Sequence, residues 1–257
     1  MHTPIVVTGG TGTLGRPLVE RLRASGQQVR VLSRRPGPER AVADLLTGEG
    51  VEAAVAGAGT IIHCATTIRG AKDVRATENL LAAATAAGRP HLVYISIVGI
   101  DQLPVGYYRG KLAAEQLIER SGLPYTILRA TQFHDLLCTA FGMLAKLPVL
   151  VVPAIRCQPV EVGEVATRLA ELATGEPLGR VADFGGPRVL PLTELARAYL
   201  TATGRRRAVL GIRLPGKTFR AATAGENLTP DHADGTITFD SYLAEAPLRG
   251  RPTDRSR

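Results

Sequence analysis

The chain of 257 residues lacks most of the features that mark secreted, membrane or metal-binding proteins. It has no tryptophan, and its three cysteines are widely spaced, which argues against a disulfide framework and against a zinc site. No apolar run approaches the roughly 20 residues that a membrane span needs. The N-terminus lacks the basic start and apolar core of a signal peptide, so we expect a cytoplasmic protein with no bound metal.

Positive charge is abundant, with a net charge of +8, but it does not predict nucleic-acid binding. Much of the positive charge lies in Arg205–Arg207 and in the tail 249–257. We expect the tail to be flexible. Aromatic residues make up only 4% of the chain, and no recognised nucleic-acid module is present. The sequence therefore predicts that the protein binds neither nucleic acid nor membrane. We expect it to be a monomer or a homodimer.

What the sequence does contain is an alternation of apolar runs with amphipathic helical patterns. Strands are predicted over 4–8, 28–33, 41–44, 60–65, 91–96 and 125–129, and helices over 13–25, 72–87 and 107–121. The strand segments are continuous apolar runs, which indicates a parallel sheet covered on both faces. We predict an α/β fold, a Rossmann-type doubly wound parallel sheet over 1–130, with a smaller substrate lobe over 131–248 that is partly interleaved with the core.

Beyond residue 130 the alternation of apolar runs and helical patterns is less regular. The pattern there predicts helices over 131–146, 163–173 and 192–203, a proline-bounded apolar stretch between the first two, and a strand near 181–184.

The first strand runs into a glycine-dense turn. Gly9 allows the chain to turn, Gly12 allows backbone N–H groups to approach a phosphate, and Gly15 allows the new helix to pack close to the strand. The helix N-terminus adds donors and partial positive charge. The turn therefore predicts a dinucleotide site, with contacts from Gly9, Thr11, Gly12, Thr13, Leu14 and Gly15.

The end of the second strand distinguishes the two nicotinamide cofactors. An acidic residue there holds a free ribose 2′-hydroxyl, but this chain has Ser33, Arg34 and Arg35, and no carboxylate until Glu39. Because arginine binds phosphate oxygens with two donors, the position favours NADP(H) over NAD(H). The alternative is a pair of surface arginines before the Pro36–Pro38 turn.

A tyrosine pair and a lysine open the predicted helix 107–121. Tyr107 and Lys111 share a helix face, and an ammonium group near a phenol lowers the pKa of that phenol. A phenol tuned in this way can protonate a carbonyl oxygen. Tyr108 is an alternative donor, and a partly buried tyrosine pair beside an exposed lysine is the non-functional alternative.

In order along the chain, these motifs resemble the short-chain dehydrogenase/reductase superfamily, in particular its atypical NmrA-like, NAD(P)H-binding branch. The resemblance covers most of residues 4–200 and rests on the glycine motif, Asp44-Leu45, Ile62–Ala65, Tyr94–Gly99, Tyr107–Lys111 and Leu128–Phe133.

The resemblance implies a role for each matching position. Asp44 and Leu45 would lie beside the adenine, and Ala65 and Thr66 along the cofactor. Ser96 would bind the substrate carbonyl, Tyr107 would donate the proton, and Lys111 would orient the ribose. A substrate pocket would be bordered by Gln132, Phe133 and His134.

The chain also departs from the family pattern. Ile97 stands where many relatives have another serine, and the asparagine that completes a proton relay in many members has no equivalent. Asn79 is instead predicted to cap or pack within its helix. The branch further includes redox-sensing regulators that bind the cofactor and catalyse nothing, and fold analogy cannot choose between the two classes.

Other polar residues are predicted to be structural. His63 and Cys64 are expected to pack, and His134 is more often an interior or surface histidine than a second acid. Glu115, four residues after Lys111, predicts a surface ion pair.

The sequence thus predicts an NADPH-dependent reductase of a carbonyl or activated double bond in a small apolar substrate. The apolar side chains would come from Phe133, Leu136, Leu137, Phe141, Met143 and Leu144, although several of these must form core. The alternative is a non-catalytic, NADP(H)-sensing regulatory protein. A sugar-nucleotide epimerase or dehydratase is disfavoured, because residues 131–257 offer few polar pocket residues.

Overall fold

The structure is a computed structural model that describes residues 3–66, 70–103 and 106–245. Its strands are β1 Ile5–Thr8, β2 Val29–Ser33, β3 Arg40–Val42, β4 Thr60–His63, β5 His91–Ile97, β6 Tyr125–Ala130, β7 Val149–Pro153, β8 Arg156–Cys157, β9 Gly179–Arg180, β10 Leu190–Pro191 and β11 Ala208–Ile212. Its helices are α1 Gly15–Ala24, α2 Val51–Val55, α3 Gly70–Ala86, α4 Gly106–Arg120, α5 His134–Leu144, α6 Val162–Thr174, α7 Leu192–Ala202, α8 Lys217–Ala224 and α9 Phe239–Glu245, with a 3₁₀ turn at Pro230–His232.

The described chain folds as two units. Unit 1 comprises the residues up to Ala130 together with Val162–Asp183, and unit 2 comprises Thr131–Glu161 together with the residues from Phe184 onward. Helix α6 and strand β9 thus belong to unit 1, although they follow residue 130 in sequence. The proposed tail 249–257 lies outside the described residues.

Unit 1 is built on a seven-stranded parallel sheet in the order β3-β2-β1-β4-β5-β6-β9. Helices α3 and α4 pack on each other, as do α1 and α6. The core beneath α2, α3 and α4 holds fully buried side chains such as Leu80, Tyr94 and Ile118. The predicted doubly wound α/β fold is confirmed, because the continuous apolar strands need helical cover on both faces.

Unit 2 contains two small sheets, β7 with β11 in parallel and β8 with β10 antiparallel. Its core packs α5, α7 and α9 through Phe141, Tyr199 and Phe239, whose rings lie in contact. Leu137 joins this core, whereas Leu136 and Met143 on the same helix are 60% and 61% exposed. Only part of the apolar stripe predicted over 133–144 is therefore core.

The predicted strands and helices of unit 1 match the structure to within about two residues at their ends, as is usual for element boundaries. The proline-bounded apolar stretch is strand β7. The strand predicted near 181–184 is misplaced, because the residues that pair with β6 are Gly179–Arg180, which form β9 just before that range. None of the described helices is both long enough and apolar enough to cross a membrane.

Candidate functional site

The glycine turn between β1 and α1 has the geometry of a phosphate cradle. Gly9 has a φ of +68°, and a Cβ there would lie 2.7 Å from the backbone nitrogen of Ala65. A Cβ on Gly15 would clash with the carbonyl oxygen of Gly9, so the helix can approach the strand only because Gly15 has no side chain. The turn is closed by Gly12 N–H, which donates to Gly9 O at 2.9 Å.

The turn also leaves room for a ligand. Thr11, Gly12 and Thr13 are exposed, and they lead into the N-terminus of α1, where no side chain caps the helix. The first turn of a helix carries N–H groups without intrahelical partners, which suit an anion. The residues present therefore fit the pyrophosphate of a dinucleotide.

At the end of β2, Arg34 and Arg35 are exposed, and the Arg35 N–H donates to the Ser33 hydroxyl at 3.1 Å. Glu39 forms an ion pair with Arg23 at 2.6 Å. The first carboxylate after β2 is thus neutralised by another arginine, while the two guanidinium groups next to the strand end are solvent-accessible.

The loop that follows β3 is held by its own backbone and by α3. Asp44 accepts a hydrogen bond from Leu46 N at 2.8 Å. The Asn79 side-chain amide donates to Leu45 O at 2.7 Å and to Leu46 O at 3.1 Å. Asn79 therefore packs, as the sequence predicts, and it fixes the Asp44–Leu46 loop at the edge of the sheet.

His63 at the end of β4 is a buried, neutral histidine. Its Nδ1 lies 2.7 Å from Thr8 Oγ1 and its Nε2 lies 3.4 Å from Thr77 Oγ1. Thr77 uses its own proton on Asp73 O, so His63 Nε2 must carry a hydrogen and Nδ1 must accept one. Burial, with a smaller contribution from Lys111, lowers the pKa of His63 to about 3.

The neighbouring thiol is equally inert. Burial raises the pKa of Cys64 to about 12, so no thiolate is available near neutral pH. His63 and Cys64 are thus structural, as the sequence predicts. Among the described residues, no group of histidine, cysteine and acidic side chains could hold a metal ion.

Ser96, near the carboxyl end of β5, has a buried hydroxyl without a hydrogen-bond partner among the described residues. The residue is only 3% exposed. An unsatisfied buried hydroxyl is costly, which makes Ser96 a candidate for a contact with a ligand. The sequence singles out the same residue.

Tyr107, in the first turn of α4, points its hydroxyl at Thr66. The Tyr107 and Thr66 oxygens are 3.0 Å apart, and Thr66 donates to the Asp73 carboxylate at 2.8 Å. Burial and the negative charge of Asp73 raise the pKa of Tyr107, and the hydrogen bond to Thr66 opposes this rise. The expectation that Lys111 lowers the pKa of Tyr107 is therefore wrong for this geometry.

Lys111 is directed elsewhere, which explains that error. It is 4% exposed, donates from Nζ to the backbone oxygen of Ile95 at 2.8 Å, and lies 4.3 Å from the centre of the Tyr94 ring. Burial lowers the pKa of Lys111 to about 8, against the opposing effects of Asp73, Cys64 and Glu115. Its ammonium group thus sits against β5, beside Ser96.

Glu115 is not a surface residue, so that prediction is wrong. It is 2% exposed and forms a two-pronged ion pair with Arg129 of β6, at 3.0 and 2.7 Å. Arg129 also donates to Asp101 at 3.1 Å. Through Glu115, Arg129 and Asp101, this cluster connects α4 to β6 and to the segment that follows β5. Helical spacing cannot reveal it, because the partner lies on another element.

The substrate-pocket residues predicted from the resemblance lie in unit 2. Gln132 donates to Asn227 O at 3.1 Å and accepts from Gln158 N at 3.2 Å. Phe133 forms a bridge with Val160. His134 is fully buried beside Phe239 and Tyr242, with Nε2 3.1 Å from Ile237 O.

Sequence reasoning missed Asp73. An acidic residue in the first turn of a helix is common, because it favours the positive end of the helix dipole. No local signal therefore marks it as a partner of Thr66 and Tyr107. It is 5% exposed, and its position becomes informative only when the contact to Thr66 is known.

Comparison with known proteins agrees with this geometry. The family profile described as NAD(P)H-binding matches residues 9–144. A (4-alkanoyl-5-oxo-2,5-dihydrofuran-3-yl)methyl phosphate reductase of Streptomyces griseus is 30% identical over 217 residues, which cover 78% of this chain and 74% of the relative. The photosystem II assembly factor Ycf39 of Trieres chinensis is 29% identical over 171 residues, or 60% of this chain, and the match spans only about half (54%) of that relative's length.

The fold is also found among solved structures. The NADPH complex of the quinone oxidoreductase QOR2 from Escherichia coli superposes with a TM-score of 0.80 at 19% identity, over 93% of this chain and 98% of that one. At this identity the likeness shows the fold alone. Together with the family match and the glycine cradle, it leads to one conclusion. The chain belongs to the NAD(P)H-binding family of Rossmann-fold proteins.

Proposed function

We propose that the protein is an NADP(H)-dependent oxidoreductase that reduces a carbonyl or an activated double bond of a small apolar molecule. The observation that carries the proposal is the buried, unsatisfied hydroxyl of Ser96. It lies one residue beyond the backbone oxygen that Lys111 engages, on a unit whose glycine turn fits a dinucleotide. The names of the Streptomyces griseus and Escherichia coli proteins, a reductase and an NADPH-dependent quinone oxidoreductase, support the same reaction class.

Binding of the cofactor is assigned to the glycine turn and the neighbouring strand ends. The N–H groups of Thr11, Thr13, Leu14 and Gly15 would hold the pyrophosphate, with Gly12 leaving space for it. Asp44 and Leu45 would flank the adenine, and Ala65 and Thr66 would line the nicotinamide half. Arg34 and Arg35 would bind the 2′-phosphate, which favours NADPH.

The bound NADPH would supply the hydride. Ser96 would donate a hydrogen bond to the substrate oxygen, and Tyr107 would donate the proton to that oxygen. The raised pKa of Tyr107 keeps the phenol protonated at neutral pH, which suits a proton donor in the reductive direction. The Lys111 ammonium would hold a ribose hydroxyl and add positive charge beside Ser96. The apolar character of the substrate is inferred from the apolar sequence of residues 133–144.

The proposal is tested by titrating NADPH and NADH with fluorescence and then screening quinones, enones and aromatic ketones for NADPH oxidation. We expect Tyr107→Phe to lower turnover by about 100-fold or more, with the Kd for NADPH changed less than about twofold. Tyr125→Phe is the matched control and should keep turnover. Activity that survives in both Tyr107→Phe and Tyr108→Phe contradicts the tyrosine mechanism. NADPH binding with no acceptor reduced contradicts the enzyme proposal and favours a cofactor sensor.

A further inference from the structure

A short chain of hydrogen bonds leads from Tyr107 into the protein. Tyr107 Oη lies 3.0 Å from Thr66 Oγ1, and Thr66 donates to the Asp73 carboxylate at 2.8 Å. The three residues come from α4, the segment after β4, and α3. All three groups belong to unit 1.

The direction of the chain follows from the number of protons. A threonine hydroxyl has one proton, and Thr66 places it on Asp73, which as a carboxylate can only accept. Thr66 can then only accept from Tyr107, so the phenol donates to Thr66 at rest. With Asp73 as the final acceptor, the chain has a single direction, from Tyr107 through Thr66 to Asp73.

Three other residues of unit 1 have contacts that differ from this chain. Lys111 directs Nζ to the backbone oxygen of Ile95, 2.8 Å away. Tyr108 contacts Tyr107 through its ring at 6.0 Å. Asn79 donates from its amide nitrogen to Leu45 O and Leu46 O, in the loop after β3.

We propose that Asp73 is a positioning residue that, through Thr66, returns a proton to Tyr107 after each turnover. This inference rests on the proposed function, in which Tyr107 protonates the reduced substrate. A threonine and an aspartate would then do in this chain what an asparagine does in the proton relay of many family members. The residues lie on elements that the fold, rather than local sequence, brings together.

The proton balance of the step is as follows. The substrate gains a hydride from NADPH and a proton from Tyr107, which leaves a phenolate. The Asp73 carboxylate then takes up one solvent proton. The Asp73 proton then passes to Thr66 as the Thr66 proton passes to the phenolate, which restores the resting state with one solvent proton consumed per turnover.

The pH behaviour of Tyr107 depends on the charges that face it. Within the described residues these are Asp73 from α3 and the titratable side chains Tyr94 from β5 and Tyr108 from α4 itself. Asp73 is the acidic group that raises the pKa of Tyr107. Removing its charge should therefore move the titration of Tyr107 to lower pH.

The first experiment needs no substrate. Tyrosine labelled with ¹³C at Cζ is titrated by NMR in the cofactor-free protein, and the Tyr107 signal is assigned by its loss in Tyr107→Phe. We expect Tyr107 to titrate at lower pH in Asp73→Asn than in the wild type, because the variant lacks the negative charge that raises the pKa of Tyr107. The matched control is Glu78→Gln on the exposed side of α3, which makes the same change of carboxyl to amide and should leave the titration unchanged. An unchanged titration in Asp73→Asn overturns the proposal.

The second experiment measures turnover. Asp73→Asn and Thr66→Val should each lower kcat by about tenfold or more with the KM for NADPH within about twofold, while Thr66→Ser should retain activity because it keeps the hydroxyl. Thr66 is exposed, so Thr66→Val carries the test if Asp73→Asn does not fold. Loss of turnover in Tyr107→Phe together with wild-type kcat in Thr66→Val overturns the relay and leaves the proposed function intact. Retained turnover in Tyr107→Phe overturns the relay and the assignment of Tyr107 as proton donor, whereas NADPH binding with no acceptor reduced overturns the proposed function itself.

Discussion

Gly70 in α3 and Gly110 in α4 bring the backbones of these helices into direct contact. A Cβ on Gly110 would clash with the Cα, carbonyl carbon and oxygen of Gly70, and a Cβ on Gly70 would lie 2.9 Å from Gly106 O. Asp73 follows Gly70 by one helical turn, and Tyr107 precedes Gly110 by about one turn. The contact therefore sets the spacing across which Asp73 and Tyr107 reach Thr66.

Gly110→Ala should separate the two helices. The added methyl group meets backbone that cannot rotate away, so we expect the free energy of unfolding to fall by about 1–3 kcal/mol. The matched control is Gly106→Ala on the same helix, where the nearest atom to a new Cβ is Arg109 Nη2 at 3.9 Å. The control should change stability by less than about 0.5 kcal/mol. Urea unfolding measures both, and equal stability of the two variants would contradict the close-contact argument.

The exposed arginines after β2 should determine the choice of cofactor. Replacing Arg34 and Arg35 together by Ala removes two guanidinium groups, each worth about 1.5–3 kcal/mol in a charge-assisted hydrogen bond. We expect the Kd for NADPH to rise by about tenfold or more and the Kd for NADH to change little. Arg120→Ala, on the exposed end of α4, is the control. Equal weakening of NADPH and NADH would show that the two arginines do not contact a 2′-phosphate.

The sheet of unit 1 was predictable because its strands carry a strong physical signal. Continuous apolar runs such as those of β1 and β5 can be satisfied only between two layers of helices. Strand β9 is only two residues long, Gly179–Arg180, and has no apolar pattern. Its place at the edge of the sheet, and that of α6 in unit 1, depend on pairing with β6 and packing on α1, which a local pattern does not contain.

In the candidate site, too, features set by local sequence were predictable and contacts between different elements were not. The conformation of the glycine turn and the place of Ser96 near the end of β5 were predictable from residue type and position. The partners of the charged side chains were not, because each partner lies on a different element. Lys111 contacts Ile95 O, and Glu115 contacts Arg129, although helical spacing suggested Tyr107 for the first and the surface for the second. Spacing predicts which residues share a face, and burial decides what that face meets.

The buried histidine of β4 should make the protein sensitive to acid. The pKa of His63 is about 3 in the fold and 6.5 as the ordinary value. Between these values the unfolded chain binds a proton that the folded chain does not, so stability is present above pH 6.5 and is lost as pH falls towards 3. From pH 6.5 to pH 5, His63 alone should cost about 2 kcal/mol of unfolding free energy.

His63→Asn tests this, because it keeps a polar group near Thr8 and removes the titration. We expect its unfolding free energy to fall by about 2 kcal/mol less than that of the wild type between pH 6.5 and pH 5, measured by urea unfolding. His232→Asn in unit 2 is the control and should follow the wild-type slope. Parallel pH dependence in His63→Asn and the wild type would show that His63 is protonated within the folded protein.

Lys111 should reduce stability at neutral pH. Burial lowers its pKa from 10.5 to about 8, so below pH 8 the fold holds a buried ammonium group that is compensated only in part by Ile95 O and the Tyr94 ring. Between pH 8 and pH 10.5 the unfolded chain keeps the proton and the folded chain loses it. Wild-type stability should therefore rise over this range, by up to about 3 kcal/mol.

Lys111→Met removes this rise, since methionine fills similar volume without charge. We expect the variant to be more stable than the wild type by about 1 kcal/mol or more at pH 7, once the lost hydrogen bond to Ile95 O is included, and the difference should shrink towards pH 10. Lys72→Met, at an exposed position of α3, is the control and should show no pH-dependent difference. Urea unfolding at pH 7, 8.5 and 10 provides the measurement. A variant less stable than the wild type at pH 7 would mean that the contacts of Lys111 outweigh its desolvation, and that this lysine stabilises the fold.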